Sequence, residues 1–139
     1  MKAIIYVEGK SSHPFQEQIE GEISLVNILD VNSLPNAVFD EVEVIDGLEF
    51  SDEEDILARI IQKVRHGGAL KIRGTDALQI FNSTSTGSCS LEEATKLMLG
   101  GRQKLTSAHQ LKDKIVASGL DVSLVGIVGY KYIVEAHRK

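Results

Sequence analysis

The stretch Tyr6-Val7-Glu8-Gly9-Lys10-Ser11-Ser12-His13-Pro14 gathers a glycine, a lysine and two hydroxyls behind the apolar run Ala3-Ile4-Ile5. Those groups could cradle a phosphate. A P-loop, however, needs a glycine five residues ahead of the one before Lys-Ser, and Ile4 stands there. Lys10 therefore reads as a solvated turn residue. Ser12 and His13 make no nucleophile–base pair, because neighbours in the extended bend before Pro14 point apart. His13, His66, His109 and His137 lack metal-ligand spacing, and no metal site is expected. Cys89 is the single cysteine, which excludes an internal disulfide and a cysteine-based zinc site within one chain. It sits among Ser and Thr with no basic neighbour to lower its pKa. No catalytic base or nucleophile is recognisable. Two carboxylates remain, Asp30 and Asp46, each at the end of an aliphatic run.

The elements that would position them follow from periodicity. Ser51 with Glu54, Ser90 with Glu93 and Ser107 with Gln110 each form a capping box ahead of an apolar stripe. Glycines then mark the stops at Gly67, Gly100 and Gly119. The spacing predicts helices over about 52–66, 91–99 and 107–118. Residues 2–7, 24–31, 40–46 and 69–74 are short aliphatic or β-branched runs of strand length. The runs 121–128 and 130–136 meet at Gly129 with no room for a helix, which predicts an antiparallel hairpin. This order describes an α/β fold with a mostly parallel sheet covered by helices and finished by antiparallel strands. Residues 82–90 read as a small polar loop bending over the sheet edge where ligands of such folds lie. Asp30 and Asp46 would lie at that edge too. A carboxylate there can accept a hydrogen bond from an adenine amino group or a ribose hydroxyl.

Composition sets the outer limits. With 139 residues, 42% hydrophobic and 25% charged, the chain suits one domain spanning 1–139 with a modest core. A net charge of −5 and the absence of Trp argue against a nucleic acid as partner. One lone cysteine suggests a reducing, cytoplasmic setting. The apolar residues before Glu8 are too few for a signal peptide or a membrane span.

The segment from Ile28 to Gly74 resembles the second half of a class I S-adenosylmethionine-dependent methyltransferase. In that family a strand ends in Asp before a Leu-Pro turn, Phe-Asp-x-Val opens the next strand, and Leu-Glu precedes a helix that ends in Gly-Gly. The matching residues are Asp30, Leu34-Pro35, Phe39-Asp40-Glu41-Val42, Leu48-Glu49 and Gly67-Gly68. The last helix, its glycine turn and the terminal hairpin are similar as well, so the resemblance covers about 24–137. It implies a Rossmann-like methyltransferase-type sheet and places Glu8, Gly9, Asp30, Val31 and Asp46 at the cofactor.

The first half departs from the family. Glu8 is followed by Gly9-Lys10-Ser11-Ser12, without the glycine pattern that lets a backbone approach the cofactor. Thirteen residues separate Gly9 from Ile23, whereas a βαβ unit takes roughly 30 or more. The sheet is therefore expected to be shortened in its N-terminal half, with a strand and at least one helix missing. Two expectations stand side by side. One is a degenerate, non-catalytic binding or assembly module, forming a homo-oligomer or docking a partner protein through the exposed sheet edge and apolar face left by the missing unit. The other is a small active S-adenosylmethionine-dependent methyltransferase whose site a partner chain completes.

Overall fold

The computed structural model describes residues 1–7, 23–51, 55–99, 102 and 105–139. Among these residues, six strands form one sheet: β1 (Lys2–Tyr6), β2 (Ile23–Asn27), β3 (Phe39–Ile45), β4 (Val64–Thr75), β5 (Asp121–Val128) and β6 (Lys131–His137). Their spatial order is β2-β1-β3-β4-β6-β5. The first four strands are parallel, β6 runs antiparallel to β4, and β5 closes the sheet as the hairpin partner of β6. This is the mostly parallel sheet with an antiparallel ending that the sequence predicts.

Side-chain alternation gives the sheet two unlike faces. Ala3 and Ile5, Val42 and Val44, Leu70 and Ile72, and Val134 and Ala136 occupy cross-strand rows on one face. They form the main core with Ile56 and Ile60 of α1 (Ile56–Lys63) and with Leu111 and Ile115 of α4 (Ala108–Ala117). Burying an aliphatic side chain of this size contributes about 1.5–3 kcal/mol. The opposite face carries Lys2, Glu41, Glu43, Lys71 and Arg73. Lys2 Nζ lies 2.9 Å from Glu43, Lys71 Nζ lies 3.1 Å from Glu41, and Arg73 Nε lies 3.6 Å from Glu43. An apolar second face is therefore not what these strands present.

Several boundaries differ from the sequence reading for local reasons. The strand expected over 24–31 stops at Asn27, whose side chain accepts from Leu29 N at 3.0 Å and starts a 3-10 helix, Ile28–Ser33. The helix expected to reach residue 66 ends at Lys63. Val64 is fully buried and pairs with Phe39, so the chain leaves the helix directly into β4. Lys63 bends back, and its buried ammonium donates to Leu34 O at 2.9 Å and Asn36 Oδ1 at 2.8 Å, which fixes the Leu34-Pro35 turn against α1. Gly67, predicted to stop the helix, lies in β4 at φ +82°, where the register with β3 shifts. Of the first capping box, Glu54 lies outside the described residues.

An additional helix, α2 (Ala77–Ser85), takes up the first part, 82–85, of the loop expected at 82–90. Asp76 caps it through Gln79 N at 3.2 Å. With α3 (Leu91–Met98), capped by Ser90 through Glu93 N at 3.1 Å, it forms a small separate core around Ile80, Cys89 and Ala94. The capping residue expected for α4 is also in place, Ser107 accepting from Gln110 N at 3.3 Å. No helix among the described residues is long and apolar enough to cross a membrane.

Candidate functional site

In an open α/β sheet, ligands bind outside the carboxyl ends of the strands where the strand order reverses. Here the order reverses at β1, which has β2 on one side and β3 on the other. Asp30 follows β2 in the 3-10 helix, where it is exposed, and its carbonyl accepts from Ser33 Oγ at 2.7 Å. Val31 beside it is 1% exposed and part of the core, so its side chain offers nothing to a ligand. Asp46 follows β3 in the left-handed region, at φ +49°, a conformation Asp tolerates better than most residues. The two aspartates thus leave strands two spacings apart, about 10 Å. Glu8 and Gly9 lie outside the described residues.

Asp46 is paired with a lysine from β6. Its Oδ1 accepts from Lys131 Nζ at 3.1 Å, with the carboxylate side chain only 14% exposed. Lys131 opens β6 and also donates to Thr75 Oγ1 at 3.2 Å. Arg102 Nη2 reaches the same hydroxyl at 3.1 Å, and its guanidinium stacks 5.1 Å above the Phe50 ring. Thr75 ends β4, so residues that end or follow β3 and β4, the start of β6 and the segment before α4 meet at one end of the sheet.

Beneath them lies Glu49, 2% exposed. Its Oε1 accepts from Thr75 N and from the Tyr132 hydroxyl, both at 3.2 Å. Burial pushes the Glu49 carboxyl above its ordinary value, against the pull of its own backbone N–H, of Tyr132, of Thr75 N–H and of nearby Arg102. Burial likewise drives the Tyr132 phenol well above its ordinary value, and the adjacent Glu49 adds to the shift. The backbone makes room for this pair at Gly74, where a Cβ would collide with Glu49 Oε1 and stand 2.6 Å from the Tyr132 hydroxyl. A cavity of about 10 Å³ between Glu49, Thr75, Arg102 and Thr106 holds no more than one water-sized group. Arg102 Nε, buried there, has no hydrogen-bond partner among the described residues.

Chemically, this end of the sheet is a closed network. Glu49 is held as a hydrogen-bond acceptor away from solvent, and the charges of Asp46 and Lys131 compensate each other. Of the residues that meet here, the sequence singles out Asp46 as a strand-end carboxylate, whereas Thr75, Arg102, Lys131 and Tyr132 join it only through the fold. One signal was available: a buried tyrosine requires a partner for its hydroxyl, and Leu48-Glu49 supplies a carboxylate after β3. Among the described residues, no group of His, Cys, Asp and Glu is placed to hold a metal ion.

No protein-family model matches this sequence, and no curated protein matches it. Solved structures do match in fold. A methyltransferase from Thermotoga maritima, described as a possible histamine N-methyltransferase, is 15% identical with a TM-score of 0.59. The match covers 84% of this chain and 64% of that one. An S-adenosylmethionine-dependent methyltransferase from Archaeoglobus fulgidus is 14% identical with a TM-score of 0.60, covering 97% of this chain and 85% of that one. One from Mesorhizobium loti is 11% identical with a TM-score of 0.61, covering 87% and 72%. The chain thus has a class I methyltransferase-like fold and spans just under two thirds of the Thermotoga protein's length.

Proposed function

We propose that this chain is a methyltransferase-fold binding module that does not transfer methyl groups by itself and assembles with a copy or a partner through the open edge of its sheet. One observation carries the reading. At the carboxyl ends of β3 and β4 the polar side chains are committed to one another, with Asp46 paired to Lys131 and Glu49 locked between Thr75 and Tyr132. The strand that leads to Leu34-Pro35 also pairs directly with β1, which agrees with a shortened first half. Calorimetric titration of the isolated chain with S-adenosylmethionine and with S-adenosylhomocysteine tests this. No binding heat is expected for either, and tight binding of either to the chain alone overturns the reading.

A second reading is a small active methyltransferase completed by a partner chain. It is favoured by the neighbouring structures, which are described as S-adenosylmethionine-dependent methyltransferases, and by Asp30, whose carboxylate is exposed beside the switch point. In that case Asp30 would hold a nucleoside hydroxyl, and Glu8 and Gly9 would approach the cofactor. The bound cofactor would supply the activated methyl group. Asp46 fits such a role only after leaving Lys131, and Val31 only through its backbone. Methyl transfer that appears when a partner is added, and is abolished by Asp30→Ala, is the outcome that selects this reading.

A further inference from the structure

We propose that the cleft between the start of α1 and the polar ridge of α4 binds a small organic carboxylate with an apolar body, at a site separate from the Glu49 network. The inference stands independently of the reading above, because neither Asp30 nor Asp46 lines this cleft.

The cleft has a volume of about 240 Å³ and opens just beyond β3. One wall is aliphatic, made by Leu48, Ile56, Leu57 and Leu105. The other is made by Thr106, Gln110 and Lys114. Gln110 and Lys114, four residues apart, fall on one side of α4, and Thr106 lies in the segment just before the extended Ser107 cap. The ridge offers a hydroxyl, a side-chain amide and an ammonium. The side chains of Gln110 and Lys114 have no hydrogen-bond or ion-pair partner among the described residues.

The chemistry of the walls selects the ligand. Among the described residues, Lys114 is the single charged residue lining the cleft, and no carboxylate lines it. Lys114 stands exposed at the rim of the cleft, where its pairing with an anion is modest and screened by salt. Hydrogen bonds to a charged acceptor are the stronger kind. A carboxylate takes donors from Lys114, Gln110 and Thr106 together, while the aliphatic wall requires an apolar remainder. Inorganic phosphate satisfies the first condition and not the second. The volume lies below the roughly 300–1,000 Å³ of pockets for drug-sized molecules, so the body is limited to a single ring or a short chain.

The test is an amide-resolved NMR titration of the full chain with 3-phenylpropionate, using 3-phenylpropionamide as the uncharged control. Saturable binding at roughly millimolar concentration is expected, with shifts at Leu48, Leu57, Leu105, Gln110 and Lys114. The amide and the Lys114→Gln variant should each bind about tenfold more weakly, the loss of one charge-assisted contact. Lys114→Arg should retain most of the affinity. Because Lys114 is exposed, its variants keep the parent's thermal midpoint. Equal affinity for acid and amide, shifts centred elsewhere, or no saturable binding would each overturn the proposal.

Discussion

Glu49 shows how a single residue couples fold and charge. Its carboxyl is buried among Thr75 N–H, the Tyr132 hydroxyl and nearby Arg102, and burial raises its pKa above the ordinary 4.5. The folded chain therefore holds this proton more tightly than the unfolded chain does. Its contribution to stability is complete below about 4.5 and declines as the pH rises through the raised folded value. Glu49→Gln preserves the acceptor oxygen without the charge. In urea titrations, the stability of the variant relative to the parent should grow as the pH climbs through that window and then level off. A difference that stays constant with pH would show that Glu49 ionises as freely in the fold as in the unfolded chain. The sequence made Glu49 visible only as half of a Leu-Glu pair, because its partners come from strands 26 and 83 residues away. Asp46 was legible as a strand-end carboxylate, whereas its pairing with Lys131, 85 residues on, was not.

Among the elements, Asp76 has the widest reach. It is 1% exposed, and its two carboxylate oxygens cap two helices: Oδ1 accepts from Gln79 N of α2 at 3.2 Å, and Oδ2 accepts from Ala108 N of α4 at 2.9 Å. A helix cap contributes about 0.5–2 kcal/mol, so Asp76→Ala should cost roughly twice that, about 1–4 kcal/mol. Hydrogen exchange checks the mechanism. Protection should fall at the first turns of both α2 and α4 and stay unchanged in α1, and a loss confined to one helix contradicts the shared cap. This double use also explains why α2 was illegible. Asp76 follows a strand directly and reads as its end, and the polar run Asn82-Ser83-Thr84-Ser85 has the composition of a loop. Helices α3 and α4 announce themselves, because Ser90 and Ser107 each cap one helix locally. The end of α1 was misread for the opposite reason. Val64, Arg65 and His66 continue a helical pattern, and only pairing with Phe39 draws Val64 into the sheet.

At the scale of the whole molecule, the two faces of the sheet constrain how the chain can associate. The face bearing Lys2, Glu41, Glu43, Lys71 and Arg73 is laced with ion pairs. Stacking two such faces would strip water from paired charges, and that cost is seldom recovered by their attraction. Association is better served by the edge. β2 pairs with β1 on one side and with no strand on the other among the described residues, and an open edge is a template for another chain. Leu25 in β2 is 43% exposed and Leu29 just beyond it is 74% exposed, so an edge-to-edge contact also removes aliphatic surface from water. Static light scattering should accordingly report twice the mass of one chain at micromolar concentration. Leu25→Lys places a charge on the edge, the device by which natural sheets discourage such pairing, and should shift the chain toward monomer with its circular dichroism unchanged. A parent chain that stays monomeric over the same range removes the edge from consideration as the assembly surface. A Leu25→Lys variant that remains dimeric moves the contact elsewhere on the molecule.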